Sequence, residues 1–361
     1  MKNLNKYSYI IYFLVPISIV IIPLLFGKYI FAFDSIPKNH FDTFYGEMIP
    51  IYGGTLFFDF VYSRIIYFQK IILFLILFLS GYSISHFCQK ISISTASQLY
   101  ASTLYIFNPY VYIRIVSGHW PMLFSYAVLP FLLKTFMDLL DRKEKKEIIK
   151  FVFLLSIISF NIHILIISFM IMGIIFLFWY NKNRDIRIFQ IIILSLILFI
   201  LLNLYWILPV LSAQNIQIEN IGERDYEVFT PKGGLLDIAS MYGFWNEGYL
   251  TPKDFLPGWQ ILYLIILSLT ILGFIYYYKD QKIGIYVKAF AVIGILGFIL
   301  ASGVNGPFGD VVRWLFDNTL LKGFRDSQKF VAMLVLAYSV LGGLGLNKIK
   351  NVYDKYNPRE A

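Results

Sequence analysis

The chain has 361 residues, of which 58% are apolar, 19% aromatic and only 15% charged. A soluble domain is nearer a quarter charged, and several apolar runs exceed the roughly 18 residues that mark a membrane span. A soluble core is thereby excluded, and the single cysteine, Cys88, excludes a disulfide framework and a cysteine-based zinc site.

An all-α, polytopic helical membrane protein is expected, a single transmembrane domain over 1–361. Apolar runs and their charged breaks predict about ten transmembrane helices: 8–33, 66–88, 97–116, 121–140, 148–162, 163–180, 188–210, 259–278, 286–303 and 327–346. The first run is longer than the roughly 7–15 residues of a signal-peptide core, and no small-residue cleavage pattern follows it. The run 148–180 is too long for one ordinary span. It is read as a short helical pair broken at Asn161 and His163, with one tilted helix as the alternative.

The first polar stretch, 31–60, holds Asp34, His40, Asp42, Glu47 and Asp59 beside a single base, Lys38. Asp34 falls almost at the mouth of the opening span, where a carboxylate is expensive to keep and so a candidate for function. A solvated loop whose acids face water is the plainer alternative. With the amino terminus in the cytoplasm, eighteen Lys and Arg fall in inner segments and eight in outer ones, while fourteen acids lie outside and eight inside. That is the cytoplasmic basic bias of membrane proteins. The net charge of +9 is therefore an orientation signal rather than a nucleic-acid patch, and both termini are expected in the cytoplasm of a cell with this protein in its plasma membrane.

Three outer loops are long: about 34–65, 211–258 and 304–327. Loops of such length are usually functional or disordered, and Tyr242, Phe244, Trp245, Tyr249, Phe255 and Trp259 argue against disorder in the second. Short interfacial helices are expected in these loops. In the third, Phe308, Val311, Val312, Leu315 and Phe316 share one helical face behind Pro307. The tail 347–361 is short and polar, without room for a further soluble domain.

Two other stretches carry candidate chemistry. In 107–133, Asn108–Pro109 breaks a helix early, Arg114 lies about one turn below the outer boundary, and Gly118–His119–Trp120 forms a tight turn. A cation at that depth needs an anionic partner, either protein carboxylate or lipid phosphate. His119 suits proton transfer or metal ligation, with a plain interfacial histidine as the alternative; Trp120 reads as an interfacial anchor. In GFRDSQKF, 323–330, Arg325 and Lys329 stand four apart before the last span. Arginine grips phosphate oxygens bidentately and lysine adds a point charge. Pairing of these cations with outer-face carboxylates, or snorkelling to headgroups, is the alternative. Ser327 or Asp326 is placed to cap the following helix. The motifs of ATP hydrolysis, zinc proteolysis and serine hydrolysis are missing.

The order of FAFD (31–34), NPY (108–110), SGHW (117–120), AVLP (127–130), YWILPVL (205–211), NGPFG (305–309) and GFRDSQKF resembles the GT-C superfamily of membrane glycosyltransferases. It is closest to the membrane part of the arabinofuranosyltransferase-like proteins. That resemblance implies a GT-C-like fold and transfer of a sugar from a polyprenyl-phosphate-linked donor to an extracytoplasmic glycan, lipid or protein. It makes Asp34 the catalytic base and turns Arg325, Lys329 and Arg114 toward donor phosphate. It places His119, Asp326, Asp42, Glu47 and His40 along the cavity. A divalent cation (Mg, Mn or Ca) held by Asp34, Asp42 or Glu47 suits hard oxygen ligands. The chain lacks the paired-acid motif directly after Asp34 and the large soluble domain of many relatives. A transporter or flippase of a lipid-linked glycan, and a non-catalytic envelope-assembly scaffold, remain the other readings.

Overall fold

The computed structural model describes residues 68–91, 93–212, 221–246 and 248–356. Among them 80% are helical and none lies in a strand. Among the described residues six helices are long and apolar enough to cross a membrane, and a seventh span results if a helix pair bent by 77° counts as one. The described residues are thus all-helical, with the long apolar helices of a membrane protein. The first predicted span, 8–33, and the first outer loop lie outside the described residues.

Numbered along the described chain, the helices are α1 (Phe68–Lys90), α2 (Thr95–Ile106), α3 (Pro109–Val116), α4 (Trp120–Arg142), α5 (Lys145–Ile158), α6 (Ile162–Asn183), α7 (Arg187–Leu202), α8 (Leu204–Ser212), α9 (Glu223–Val228), α10 (Leu235–Ala239), α11 (Pro252–Phe255), α12 (Trp259–Tyr277), α13 (Gly284–Ala301), α14 (Gly309–Asn318) and α15 (Val331–Tyr356). They form two compact units interleaved in sequence. Within the described residues the first holds 68–87, 114–169 and 184–212, and the second 88–113, 170–183 and 221–356.

Asparagines mark the breaks. Pro109 cannot donate to the preceding turn, so the helix stops before it. Asn108 then serves both ends: its amide donates to the carbonyls of Leu104 (2.9 Å) and Tyr105 (3.2 Å), and its oxygen accepts the Val111 N–H (3.0 Å). An N-cap asparagine followed by proline at the first helical position is a favoured start. The predicted helix 97–116 is thus two short helices. Asn161 likewise accepts the Ile164 N–H at 3.1 Å and starts α6. The expected break in 148–180 is there, and α5 is only 14 residues long, about 21 Å by its rise per residue.

In the first unit, Phe74, Phe78, Tyr82 and His86 stack one above another along α1, the spacing at which helical side chains meet. Phe131 of α4 packs against Tyr82 and His86, with ring centroids 5.7 Å away in both cases. At the C-terminal end of α5, the Ser125 hydroxyl donates to the carbonyl of Ile158 at 3.1 Å, which also accepts the Asn161 N–H. Asn203 sets the bend between α7 and α8. It is buried, and its amide donates to Ser156 Oγ (2.8 Å) and the Phe199 carbonyl (2.8 Å). Its oxygen accepts from Ser159 Oγ (3.3 Å) and Trp206 Nε1 (3.0 Å). Every polar position of this side chain is therefore used, which is what makes a buried amide tolerable.

In the second unit, α15 is the core. Its apolar stretch is 94% buried, against 17% for α12. Yet α12 is fixed to it by backbone contact. A Cβ on Gly273 would stand 1.9 Å from the Leu341 carbonyl oxygen, and one on Gly345 2.0 Å from that of Leu269. Small residues that let helix backbones touch drive helix association where lipid removes any hydrophobic gain. The outward side of α12, with Ile261, Leu264, Ile265, Ile271 and Ile275, is the apolar face a bilayer accommodates.

Candidate functional site

Arg114 and His119 meet in the first unit. The intervening turn is tight: Gly118 donates to the Ile115 carbonyl (3.1 Å), His119 to that of Arg114 (2.9 Å), and Trp120 Nε1 to Ile115 (2.9 Å). Gly118 has φ of +81°, a region that favours glycine. The turn brings Arg114 Nη1 to 2.9 Å from His119 Nδ1. A guanidinium only donates, so Nδ1 accepts and the ring proton sits on Nε2. Arg114 is fully buried. Trp120, expected as an interfacial anchor, is also buried, because its indole is needed to close the turn.

Arg325, Asp326 and Lys329 lie in the second unit. Here the start of the last helix differs from the expected cap. Residues Ser327–Phe330 form a 3₁₀ turn, and Asp326 makes no side-chain cap. The Ser327 hydroxyl instead donates to the Ala301 carbonyl at the end of α13, at 3.2 Å. Gly303, with φ of +66°, completes that junction; a Cβ there would meet Ser327 Oγ at 2.8 Å. Arg325 precedes the turn, so the one-turn spacing of an α-helix does not govern its relation to Lys329. Asp326 points inward and is buried, Lys329 is half-buried, and Arg325 is exposed.

The setting of Arg325 is the most informative feature. Its guanidinium lies over the Phe229 ring, 4.3 Å from the centroid, and Nη1 donates to Asp225 Oδ1 at 3.2 Å. Phe229 is braced edge-on by Trp245 at 4.7 Å. The other carboxylate oxygen of Asp225 accepts the Gly222 N–H at 3.1 Å, which fixes the acid at the start of α9. α9 is in turn fastened to α14: Glu223 pairs with Arg313, and the Tyr226 hydroxyl donates to Asp317 at 3.0 Å. Burial, then Asp317, hold the Tyr226 phenol above its ordinary range. Tyr226, Thr230, Pro231, Phe316, Arg325 and Ser327 line a shallow cleft here. The result is a cation spread flat on an aromatic ring, with 45% of its side chain accessible and one surface carboxylate beside it. An exposed pair of this kind contributes about 0–1 kcal/mol, so a phosphate, with more charge and a bidentate fit, competes readily for the same guanidinium.

Asp225, Phe229 and Asn203 were not identifiable from the sequence as partners. Asp225 lies 100 residues from the arginine it meets; the excess of acids in the loops expected on the outer side was the only signal. Asp34, His40, Asp42 and Glu47 lie outside the described residues. Among the described residues, no three metal-ligating side chains gather into a cluster. Comparison with known protein families, curated proteins and solved structures finds no match.

Proposed function

We propose that the protein is a membrane glycosyltransferase with a GT-C-like fold of about ten spans. It moves a sugar from a polyprenyl-phosphate-linked donor to a hydroxyl on the outer side of the plasma membrane, with both termini in the cytoplasm. The observation that supports this best is Arg325, a half-accessible guanidinium stacked on Phe229 and lightly held by Asp225 just before the last span. Lys329 adds a second positive charge within the same segment.

In this reading the acceptor oxygen attacks the anomeric carbon while its proton passes to the carboxylate of Asp34. The bond from anomeric carbon to phosphate oxygen breaks, and polyprenyl phosphate leaves with its negative charge held by Arg325 and Lys329. Asp326, Asp42, Glu47 and His40 shape the surroundings of the reaction. A divalent cation at Asp34, Asp42 or Glu47 would supply further charge for the leaving phosphate.

The test is release of polyprenyl phosphate from a panel of polyprenyl-phosphate-linked hexoses and pentoses by the purified protein in nanodiscs. Wild type releases it with at least one donor, and Asp34→Asn abolishes release while keeping the wild-type thermal midpoint. Undiminished release by Asp34→Asn removes that residue from the mechanism. Movement of an intact lipid-linked sugar across liposomes, without release, identifies a flippase instead.

A further inference from the structure

We infer that α14 lies in the outer headgroup layer of the membrane and that Phe308, Val311 and Leu315 enter its lipid. This rests on the placement of the helix, and holds whether or not the protein transfers sugar.

At 100° per residue, these three side chains fall in a sector of about 60°. Phe308 is 52% exposed and Val311 56%. The neighbouring face is the one the protein uses: Val312 and Phe316 are buried. On the far side lie Asp310, Arg313 and Asp317, and Trp314, 61% exposed, sits at the border between apolar and polar flanks. α14 therefore has three faces: one packed on protein, one polar, and one apolar on which Phe308 and Val311 are exposed and Leu315 is half-buried.

Its position says what covers that third face. The loop containing α14 is closed at both ends on membrane-length helices. Ser327 donates to the last carbonyl of α13 at 3.2 Å. Phe316 stacks 6.5 Å from Phe330, and Phe324 stacks 4.4 Å from the same ring, which immediately precedes α15. The helix is thus held one ring's distance from the point where the last span begins. A short amphipathic helix at that depth, with a tryptophan at its polar border, meets the boundary between headgroups and acyl chains. Its polar flank faces the other way and is occupied, since Arg313 pairs with Glu223 and Asp317 accepts from Tyr226. The membrane seat of α14 consequently carries α9, and with it Asp225, at a fixed height over Arg325.

Site-directed labelling tests this. Cys88 is the one native cysteine and is fully buried, so a new surface thiol is labelled selectively. Val311→Cys and Asp310→Cys, each carrying an environment-sensitive NBD group, are compared in phosphatidylcholine nanodiscs with and without lipid spin-labelled high on the acyl chain. The label at 311 should emit at shorter wavelength and be quenched several-fold more by the spin-labelled lipid than the label at 310. Equal quenching at both positions overturns the inference. A blue-shifted label at 311 that lipid does not quench also overturns it, and assigns the stripe to a protein partner or a second copy of the chain. Should Val311→Cys fail to fold, Trp314→Cys, at the border, is expected to show intermediate quenching; no quenching there is likewise contradictory.

Discussion

Arg114 and Arg325 are both cations at helix ends in an apolar protein, and their surroundings differ sharply. Arg114 is fully buried and hydrogen-bonds His119 through a turn closed by three further bonds. Arg325 is accessible, stacked on a ring and paired with a single surface acid. A buried charge is kept only by partners built into the fold. An accessible one retains some of its bonding capacity for a ligand. The first arginine therefore belongs chiefly to the architecture, whereas the second is free to exchange one anion for another.

The largest effect should come from breaking the buried member. Arg114→Ala removes the hydrogen bond to His119 Nδ1 and empties a large, fully buried volume, so stability should fall by about 2–3 kcal/mol, read as a lower thermal midpoint in detergent. Arg325→Ala should leave that midpoint nearly unchanged. A similar fall for both variants would erase the distinction. Asn203 sharpens it, as another buried polar group in the same unit as Arg114. Asn203→Ala takes the acceptor from Trp206 Nε1 and the amide donor from Ser156, while the Ser156 and Ser159 hydroxyls keep the Val152 and Ser156 carbonyls, a loss of about 1–3 kcal/mol; an unchanged midpoint would mean that water replaces the amide.

On the accessible side the effects are on binding. Asp225→Asn removes the competing acid and should strengthen retention of undecaprenyl phosphate a few-fold, in line with an exposed pair of about 0–1 kcal/mol. Weaker retention would mean that Asp225 orients Arg325 instead of occupying it. The smallest effect concerns a surface acid with no such exchange to make. Lys143 and the Arg187 N–H hold the Asp185 carboxyl down at about 2, below its unfolded value of about 3.9. Its contribution is complete above the unfolded value and is lost as pH falls toward 2. Hydrogen exchange in the α6–α7 turn should accelerate only in that acid window, and Asp185→Asn should remove the dependence.

Much of the architecture was legible because lipid enforces it: apolar length, basic breaks and proline placement are local signals. The break at Asn108–Pro109 and the one near Asn161 were readable for that reason. The bend at Asn203 was not, since its cause lies in serines 44 and 47 residues earlier. Nor was the 3₁₀ start of the last span, because Ser327 binds a carbonyl of α13 rather than its own helix. Arg325 could be picked out as an accessible cation, but Phe229 and Asp225, which decide how it is presented, are brought to it only by folding.

Undecaprenyl phosphate binding to the purified protein in nanodiscs, compared across wild type, Arg325→Ala and Arg142→Ala, tests the role of Arg325 most directly. Arg142 is the control, an arginine of comparable exposure paired with Asp138 and apart from α9 and α14. Affinity should drop about tenfold or more, some 1.4 kcal/mol, on loss of Arg325 and stay at the wild-type value on loss of Arg142. Equal affinity in all three proteins would contradict a phosphate role for Arg325.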